Sequence, residues 1–195
     1  MSIVASIAFY AGLNRFVVNT KSVEFNQRCL SLVNSIIGIV GCFFVSNYFL
    51  VCHLVGFVVW DLLYRLWYYD QVFMLTSIIH HLVYGTASYV ALSSTRLLEV
   101  TPYITIGELS TVFLDLVGIL KLLSDNEYLV IKKLFAITFT ITRVVILPIG
   151  LFEMYSIQEE WVWQTYYCYY SVVAMYALNL YWFMLILQKI KLLRA

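Results

Sequence analysis

The stretch TSIIHHLVYG, residues 76–85, places two adjacent histidines, His80 and His81, in an otherwise apolar run. The chain around it is equally apolar, since 63% of its 195 residues are hydrophobic, 12% are charged and the mean hydropathy is +0.87. These values are far from those of soluble domains. The sequence therefore predicts a polytopic membrane protein, and the near-neutral net charge of +1 gives no reason to expect a nucleic-acid partner.

A membrane-spanning helix needs about 20 mostly apolar residues. Six stretches meet this requirement, at 29–48, 51–67, 73–92, 101–120, 133–152 and 162–187. The predicted fold class is therefore all-α, with six transmembrane helices. Residues 1–28 hold a shorter apolar piece, IVASIAFYAGL, with no basic residue ahead of it, and this predicts an interfacial arm. The membrane domain then covers 29–190, and 191–195 form a cytoplasmic tail.

The distribution of basic residues predicts the orientation, because cytoplasmic loops are enriched in Lys and Arg. The six-helix topology assigns ten of the 12 basic residues to one side, namely Arg15, Lys21, Arg28, Arg65, Lys121, Lys132, Lys133, Lys189, Lys191 and Arg194. Arg96 falls on the other side, and Arg143 lies within the fifth span. We therefore expect both termini to be cytoplasmic.

Five ionisable residues interrupt the predicted spans at similar depth, about eight to twelve residues from a helix end. They are Asp61, His80, His81, Glu108 and Arg143. A charge at the bilayer centre costs about 2.5–3.5 kcal/mol on insertion scales, so such groups usually face the bundle interior and mark functional sites. The five residues together therefore predict a buried polar site.

Local spacing suggests partners for these residues. Asp61 and Arg65 are four residues apart and can form an ion pair. Arg143 is the expected counter-ion of Glu108, although each pair can also be purely structural. Adjacent helical residues point about 100° apart, so one histidine can face a cavity while the other contacts a neighbouring helix.

Two further residues follow Glu108 on the same helix face, Thr111 and Asp115, and extend a polar track towards the cytoplasm. His81 shares its own face with Tyr84.

Metal chemistry has weak support in the sequence. The four cysteines show no ligand spacing and are expected to be packing residues. Haem ligation is not expected, since His53 lies on the order of 12 Å from the level of the histidine pair. We predict no metal site, while a midplane metal held by one histidine of the pair with Glu108 and Asp61 stays an open alternative.

Four segments in order resemble the TLC-domain family, which includes ceramide synthases, translocation-associated membrane proteins and smaller lipid-homeostasis proteins. The segments are VVWDLLYRLWYYD, IIHHLVYGTASYVAL, GELSTVFLDLVGILKLL and FAITFTITRVVILP. The resemblance covers roughly 29–190 and is greatest to the small members that carry ELST. The fourth predicted span departs from the acidic signature of ceramide synthases, HD-x-x-D-x-x-L-E-x-x-K, because Gly107 and Glu108 replace its initial His-Asp, although Asp115 and Lys121 keep their charge types. This departure weakens the expectation that the chain N-acylates a sphingoid base.

The resemblance implies a barrel-like ring of six helices around a central cavity that accepts a fatty acyl chain. It implies a catalytic group formed by His80, His81, Glu108 and Asp115. Asp61, Tyr84, Thr111 and Arg143 are expected to line the cavity or bind lipid.

Three functions fit these features. The first is acyl transfer to a lipid amine or related lipid, with no bound cofactor and with acyl-CoA as the co-substrate. The second is a non-catalytic lipid-binding regulator of membrane composition, in which Arg143 is the main contact. The third, a proton-coupled transporter with His80, Glu108 and Asp115 as a relay, ranks last because no inverted repeat is evident. We leave open whether the chain is an enzyme or a homo-oligomer, and we expect it in the endoplasmic reticulum or another endomembrane.

Overall fold

The computed structural model describes residues 2–17, 22–68, 75–123, 128–157 and 162–192, and these residues are almost entirely helical. The helices, in chain order, are α1 (Ile3–Val17), α2 (Val23–Phe44), α3 (Asn47–Trp67), α4 (Leu75–Ala91), α5 (Thr95–Thr105), α6 (Glu108–Leu123), α7 (Leu129–Phe139), a π-helix (Thr140–Ile146), α8 (Leu147–Ser156) and α9 (Trp163–Leu192). The prediction of an all-helical chain is confirmed.

Four helical segments in the described part are long and apolar enough to cross a bilayer: α2, α3, the continuous α7, π-helix and α8, and α9. Their outer faces carry large apolar side chains, among them Phe44, which is 80% exposed, and Phe152, which is 70% exposed. Such faces are unfavourable in water and suit contact with lipid tails. These features support a membrane protein. The predicted count of six spans also requires α4, which has 17 residues, and the predicted span 101–120, which is not one continuous helix.

The break lies in the predicted span 101–120, which the structure divides into α5 and α6. Pro102 lies inside α5 and lacks the N–H that would continue the helical hydrogen bonds. At the junction Ile106 N–H donates to the Pro102 carbonyl at 2.9 Å and Gly107 N–H donates to the Ile104 carbonyl at 3.2 Å. The helix therefore tightens and ends there, and α6 begins at Glu108.

The helices contact one another in a closed order. α2 packs on α3, α3 on α4 and α4 on α9, which in turn contacts α8 and the π-helix. The order continues through α7 to α6, which returns to α2. α5 packs against α8 and α3 and contacts α2 and α4 as well. It therefore lies towards the interior at the end of the bundle where α4 ends.

Helix α1 packs closely along α3. Ser6 Oγ donates to the His53 carbonyl at 3.0 Å, and Gly56 leaves no space for a Cβ beside Ser6. The Tyr10 hydroxyl donates to Asn34 Oδ1 at 3.2 Å and lies 2.9 Å from His53 Nε2. The segment 1–28, which the sequence predicts as an interfacial arm, thus includes a helix packed into the bundle, and the residues from Val23 onwards belong to α2.

The contacts of α1 and α9 show in which direction each of these helices runs relative to its neighbours. Ser6 lies beside His53 whereas Tyr10 also contacts Trp60, so α1 runs in the same direction as α3. Helix α9 runs opposite to α4, because Tyr167 contacts Thr86 and Trp182 contacts His80.

The first residues of α1 therefore lie towards the end of the bundle where α3 begins, and α9 finishes at the other end. The helix directions therefore favour opposite sides of the membrane for the two ends, whereas the sequence predicts that both termini are cytoplasmic, and the orientation of the termini stays a prediction. The positive-inside rule does not assign the first residues of α1 to the cytoplasm, because no Lys or Arg precedes Arg15.

Candidate functional site

A cavity with a volume of about 60 Å³ lies between α4, α5, the π-helix with α8, and α9. One end of the cavity is polar and is lined by His80, Glu108, Arg143 and Asn179. The opposite end is mainly apolar, with Ala91, Leu97, Met154 and Cys168, and it also includes the hydroxyl side chains of Ser88, Thr101 and Ser171. The cavity is therefore amphipathic along its length.

Arg143 is held at the polar end by neutral groups. Its Nε donates to Ser110 Oγ at 2.8 Å and to the Gly107 carbonyl at 3.3 Å. Its Nη2 donates to Thr111 Oγ1 at 2.8 Å, and its Nη1 donates to Asn179 Oδ1 at 3.3 Å. A guanidinium has five N–H donors. Three of them are used here, so two have no partner among the described residues.

Two local irregularities place Arg143 in this position. The π-helix makes wider turns than an α-helix, and Arg143 is its fourth residue. The break between α5 and α6 leaves the Gly107 carbonyl and Ser110 facing Arg143. Phe139, one turn earlier, packs beneath the guanidinium at 5.7 Å from its ring centre.

The expected ion pair between Arg143 and Glu108 is wrong. No nitrogen of Arg143 lies within 4.0 Å of a carboxylate oxygen in the described part of the chain. Glu108 instead accepts a hydrogen bond from Ser35 Oγ of α2 at 2.9 Å. The reason is geometric, since Glu108 is the first residue of α6 and its side chain points towards α2.

His80 completes the polar end. Its ring stacks on Tyr84, with ring centres 6.0 Å apart and planes inclined by 15°, and it contacts Trp182 at 5.7 Å. His80 Nδ1 is buried and has no hydrogen-bond partner among the described residues. The imidazole is therefore positioned by aromatic packing and keeps a ring nitrogen for a ligand.

Asp61 forms a second polar cluster, outside the cavity lining. Its side chain is fully buried and accepts hydrogen bonds from Gln27 Nε2 at 2.9 Å and from Arg65 Nε at 2.5 Å. The predicted Asp61–Arg65 pair is therefore confirmed. His81 Nδ1 lies 2.7 Å from Asp61 Oδ2, in contact but without the alignment of a hydrogen bond.

The two histidines consequently have different surroundings. His80 faces the cavity, whereas His81 contacts α3 through Asp61 and Phe57. Their ring centres are 5.5 Å apart, so they connect the two polar clusters.

Asp115 lies away from both clusters. It is buried, and its Oδ1 lies 3.9 Å from Arg28 Nη1 of α2, while its Oδ2 has no hydrogen-bond partner among the described residues. Its neighbour on the predicted polar track, Thr111, is turned towards Arg143. The structure therefore does not bring Asp115 together with the histidines, although the sequence places it in a catalytic group.

Several partners of the site were not evident from the sequence. Asn179 lies in an apolar run of α9, where an isolated amide is itself unusual and could have indicated a buried role. Gln27 and Arg28 precede the predicted start of the first span, whereas α2 begins at Val23 and includes both. Ser35 has no distinguishing sequence pattern, whereas Ser110 lies in the ELST stretch of the family resemblance without its contact to Arg143 being evident.

Metal binding finds no geometric support in the described ranges. No group of three or more His, Cys, Asp or Glu side chains there could hold a metal ion. The open alternative of a midplane metal needs Asp61 and Glu108 together, and these belong to separate clusters.

An amphipathic interior cavity in a bundle of apolar helices is typical of a membrane protein that handles lipids. The chain belongs to the TLC-domain family, because residues 4–188 match the family model described as TLC domain. This match gives the chain a lipid-related membrane function and does not resolve the subtype. No curated protein matches the chain. No solved structure matches it either.

Proposed function

We propose that this protein binds an acyl lipid in the cavity, with the polar end of the lipid at Arg143 and the acyl chain against the apolar walls. The single observation that carries the proposal is the pair of guanidinium N–H groups of Arg143 that have no partner among the described residues, at the polar end of a mainly apolar cavity. A carbonyl or carboxylate oxygen is the natural acceptor for them.

The charge balance of the cavity supports an acceptor of this type. A buried cation held only by neutral groups is costly. Glu108 is the one carboxylate among the lining residues, and it lies beyond ion-pair distance of Arg143. A ligand oxygen would satisfy Arg143 without moving Glu108 from Ser35.

The arrangement of the helices also supports the proposal. The helices contact one another in a closed order, from α2 through α3, α4, α9, α8, α7 and α6 back to α2, and this order supports a barrel-like ring around a cavity. We propose that the six-helix barrel expected from the family is this ring, with the α5–α6 pair as one broken member. The endoplasmic reticulum is the compartment we propose, since it is rich in enzymes and regulators of lipid composition.

Lipid retention tests the proposal. The purified chain is extracted and the retained acyl lipids are quantified by mass spectrometry, in wild type and in Arg143→Met, which keeps volume and removes the donors. We expect ten- to hundredfold less retained lipid, because a hydrogen bond to a charged group contributes about 1.5–3 kcal/mol.

Lys133→Ala, at an exposed position of α7, is the matched control for loss of one positive charge. Equal retention by wild type and Arg143→Met would contradict the proposal.

A second candidate function is acyl transfer, and the contact of His81 with Asp61 favours it. The buried Asp61 carboxylate lies 2.7 Å from His81 Nδ1, and the His81 ring lies next to His80. A carboxylate beside a histidine is a feature of sites in which the carboxylate orients the ring. His80 itself faces the cavity and keeps a free ring nitrogen.

In this reaction an acyl thioester such as acyl-CoA is the donor and a lipid amine is the acceptor. The amine nitrogen attacks the thioester carbonyl, His80 accepts the proton, and the new C–N bond forms as the C–S bond breaks. The imidazolium returns the proton to the departing thiolate, giving an amide and a free thiol. The free N–H groups of Arg143 would stabilise the oxyanion.

A reconstituted assay with acyl-CoA and a panel of lipid amines tests this candidate. We expect His80→Gln to abolish amide formation while lipid retention persists, since Arg143 is intact. His53→Gln, at the α1 contact outside the cavity, is the control for loss of a buried imidazole. Undiminished product from His80→Gln would eliminate His80 as the base.

A further inference from the structure

We propose that the ligand enters the cavity from the bilayer between α4 and α9, and that a hydrogen bond between Thr86 and Tyr167 holds these two helices together. The inference rests on the proposed function, because it concerns the route by which the same ligand reaches the same cavity. It adds the step that controls binding, which is the separation of two helices on the lipid-facing side of the bundle.

The cavity must widen before an acyl lipid can enter it. All of its lining residues are buried or partly buried. Its volume of about 60 Å³ is small beside the roughly 300 Å³ or more of pockets that enclose small-molecule ligands. At least one pair of neighbouring helices therefore has to move apart when the ligand enters.

The wall between α4 and α9 is one side chain thick. On α4, Ala87 lines the cavity while its neighbour Thr86 is exposed, and on α9, Cys168 lines the cavity while its neighbour Tyr167 is 40% exposed. Cys168 Sγ contacts the Ala87 carbonyl at 3.4 Å, so the two helices touch at this level. Adjacent helical residues point about 100° apart. Each pair of neighbours therefore extends from the cavity to the lipid-facing surface.

A hydrogen bond between exposed side chains closes this wall on the outside. Thr86 Oγ1 and the Tyr167 hydroxyl lie 2.6 Å apart. The Thr86 hydroxyl donates its own proton to the Leu82 carbonyl at 2.7 Å, so Tyr167 is the donor to Thr86. In the hydrocarbon region no water replaces a lost partner. The hydrogen bond therefore opposes separation of α4 and α9, while Thr86 keeps the Leu82 carbonyl when they separate.

Neighbouring walls of the cavity are held more firmly. Between α3 and α4, Asp61 contacts His81 and a Cβ at Gly85 would lie 2.7 Å from the Val58 side chain, so these helices are packed around a buried charge. Between α9 and the π-helix, the guanidinium of the site donates to Asn179. The α4–α9 wall is crossed instead by neutral groups at the surface, so its opening costs less free energy.

The experiment measures the exchange of palmitic acid. The full chain, purified in digitonin, a detergent without an acyl chain, is loaded with deuterated palmitic acid and then given an excess of the unlabelled acid. The protein is captured on a tag at successive times, and the label it still holds is quantified by mass spectrometry. The rate at which label is lost reports how often the cavity opens.

Tyr167→Phe removes the hydrogen bond and keeps the ring. It should lose label about two- to tenfold faster than wild type, because this factor corresponds to one neutral hydrogen bond. Tyr170→Phe, at a position of α9 that is 61% exposed, is the control for loss of a tyrosine hydroxyl and should exchange at the wild-type rate.

A disulfide tests the route directly. Ala87→Cys places a second thiol beside the native Cys168, and oxidation should join α4 to α9 and stop the exchange, while reduction of the same sample should restore it. The control joins α3 to α4 through Gly85→Cys with Val58→Cys, where the two Cβ atoms would lie 3.5 Å apart, a suitable spacing for a disulfide. This second bridge should leave the exchange unchanged.

The outcomes separate the two proposals. If wild type retains no palmitic acid, the proposed function fails. If wild type retains the acid but Tyr167→Phe exchanges it no faster than Tyr170→Phe, or the oxidised Ala87→Cys chain exchanges it as fast as the reduced one, the ligand stays and the route between α4 and α9 is wrong. Peptide mass spectrometry identifies a bridge that has not formed, and the tyrosine variants test the route even then.

Discussion

At the scale of single residues, the two buried charge clusters differ in how they are neutralised. Asp61 is compensated within the protein by Arg65 and Gln27 and by the contact with His81. Arg143 is surrounded by hydroxyl, amide and carbonyl groups. A buried charge whose partners all come from the protein contributes to the fold, whereas a buried charge with unused hydrogen-bond donors is available to a ligand. This difference is why we assign Asp61 to positioning and Arg143 to binding.

Asp61→Asn tests the structural role of the first cluster. The change leaves Arg65 buried without its counter-ion, and breaking a buried pair typically costs about 3–5 kcal/mol. We expect a large decrease in the thermal unfolding midpoint in detergent. Glu24→Gln provides the comparison, because the Glu24–Arg28 pair is partly exposed, at 44% and 27%, and exposed pairs contribute about 0–1 kcal/mol. Similar midpoints for the two variants would show that Asp61 does not hold α2, α3 and α4 together.

The sequence identified the ionisable residues of the two polar clusters, but for most of them it did not identify the hydrogen-bond or ion-pair partner. Hydropathy identifies Asp61, His80, Glu108 and Arg143 because a polar residue in an apolar run is a local property. The partner of Arg143 depends on the π-helix and on the break after Thr105, which change side-chain directions by non-local packing. For this reason the Asp61–Arg65 pair, which lies within one helix, could be predicted, and the partner of Glu108 could not.

At the scale of helices, α1 depends on the close approach of Ser6 to Gly56. A Cβ at Gly56 would collide with the Ser6 side chain and would lie 3.0 Å from the Ile3 carbonyl, so Gly56→Ala must push α1 away from α3. Overpacking of this kind costs about 1–3 kcal/mol. We expect a lower unfolding midpoint and faster proteolysis within α1.

Gly12→Ala, on α1, is the matched glycine-to-alanine change, since a Cβ at Gly12 meets no atom within 4 Å. It should be neutral or stabilise the helix by about 0.5–1 kcal/mol. If both alanine variants behave like wild type, the contact between α1 and α3 in solution is looser than described above.

The helix boundaries show where sequence arguments stop. The predicted spans at 51–67 and 73–92 correspond to α3 and α4, because runs of apolar residues define both the hydropathy and the helix. The span at 101–120 has the same hydropathy, but α5 continues through Pro102 and ends at Thr105, and the interruption lies at Ile106 and Gly107. Hydropathy alone also assigned α1 to an arm, since its 15 residues are too few to span and its packing on α3 is a tertiary feature.

At the scale of the whole molecule, the directions of α1 and α9 predict a topology that can be measured. The contact of Ser6 with His53 and that of Trp182 with His80 place the start of α1 and the finish of α9 at opposite ends of the bundle. The basic residues Lys189 and Lys191 follow the last apolar stretch of α9, so the positive-inside rule assigns that end to the cytoplasm. A tag joined before α1 should then lie on the other side of the membrane.

Protease treatment of sealed microsomes, whose outer face is cytoplasmic, distinguishes the two topologies. A tag after α9 should be digested in intact vesicles, and a tag before α1 should be digested only after detergent opens them. The physical reason is that α1, about 22 Å long at 1.5 Å per residue, runs parallel to α3 and cannot return to the cytoplasmic side within its length. Digestion of both tags in intact vesicles would instead support two cytoplasmic termini. Two cytoplasmic termini would require α1 to leave its position on α3 in the membrane. The contacts of Tyr10 with His53 and Asn34 would then be lost.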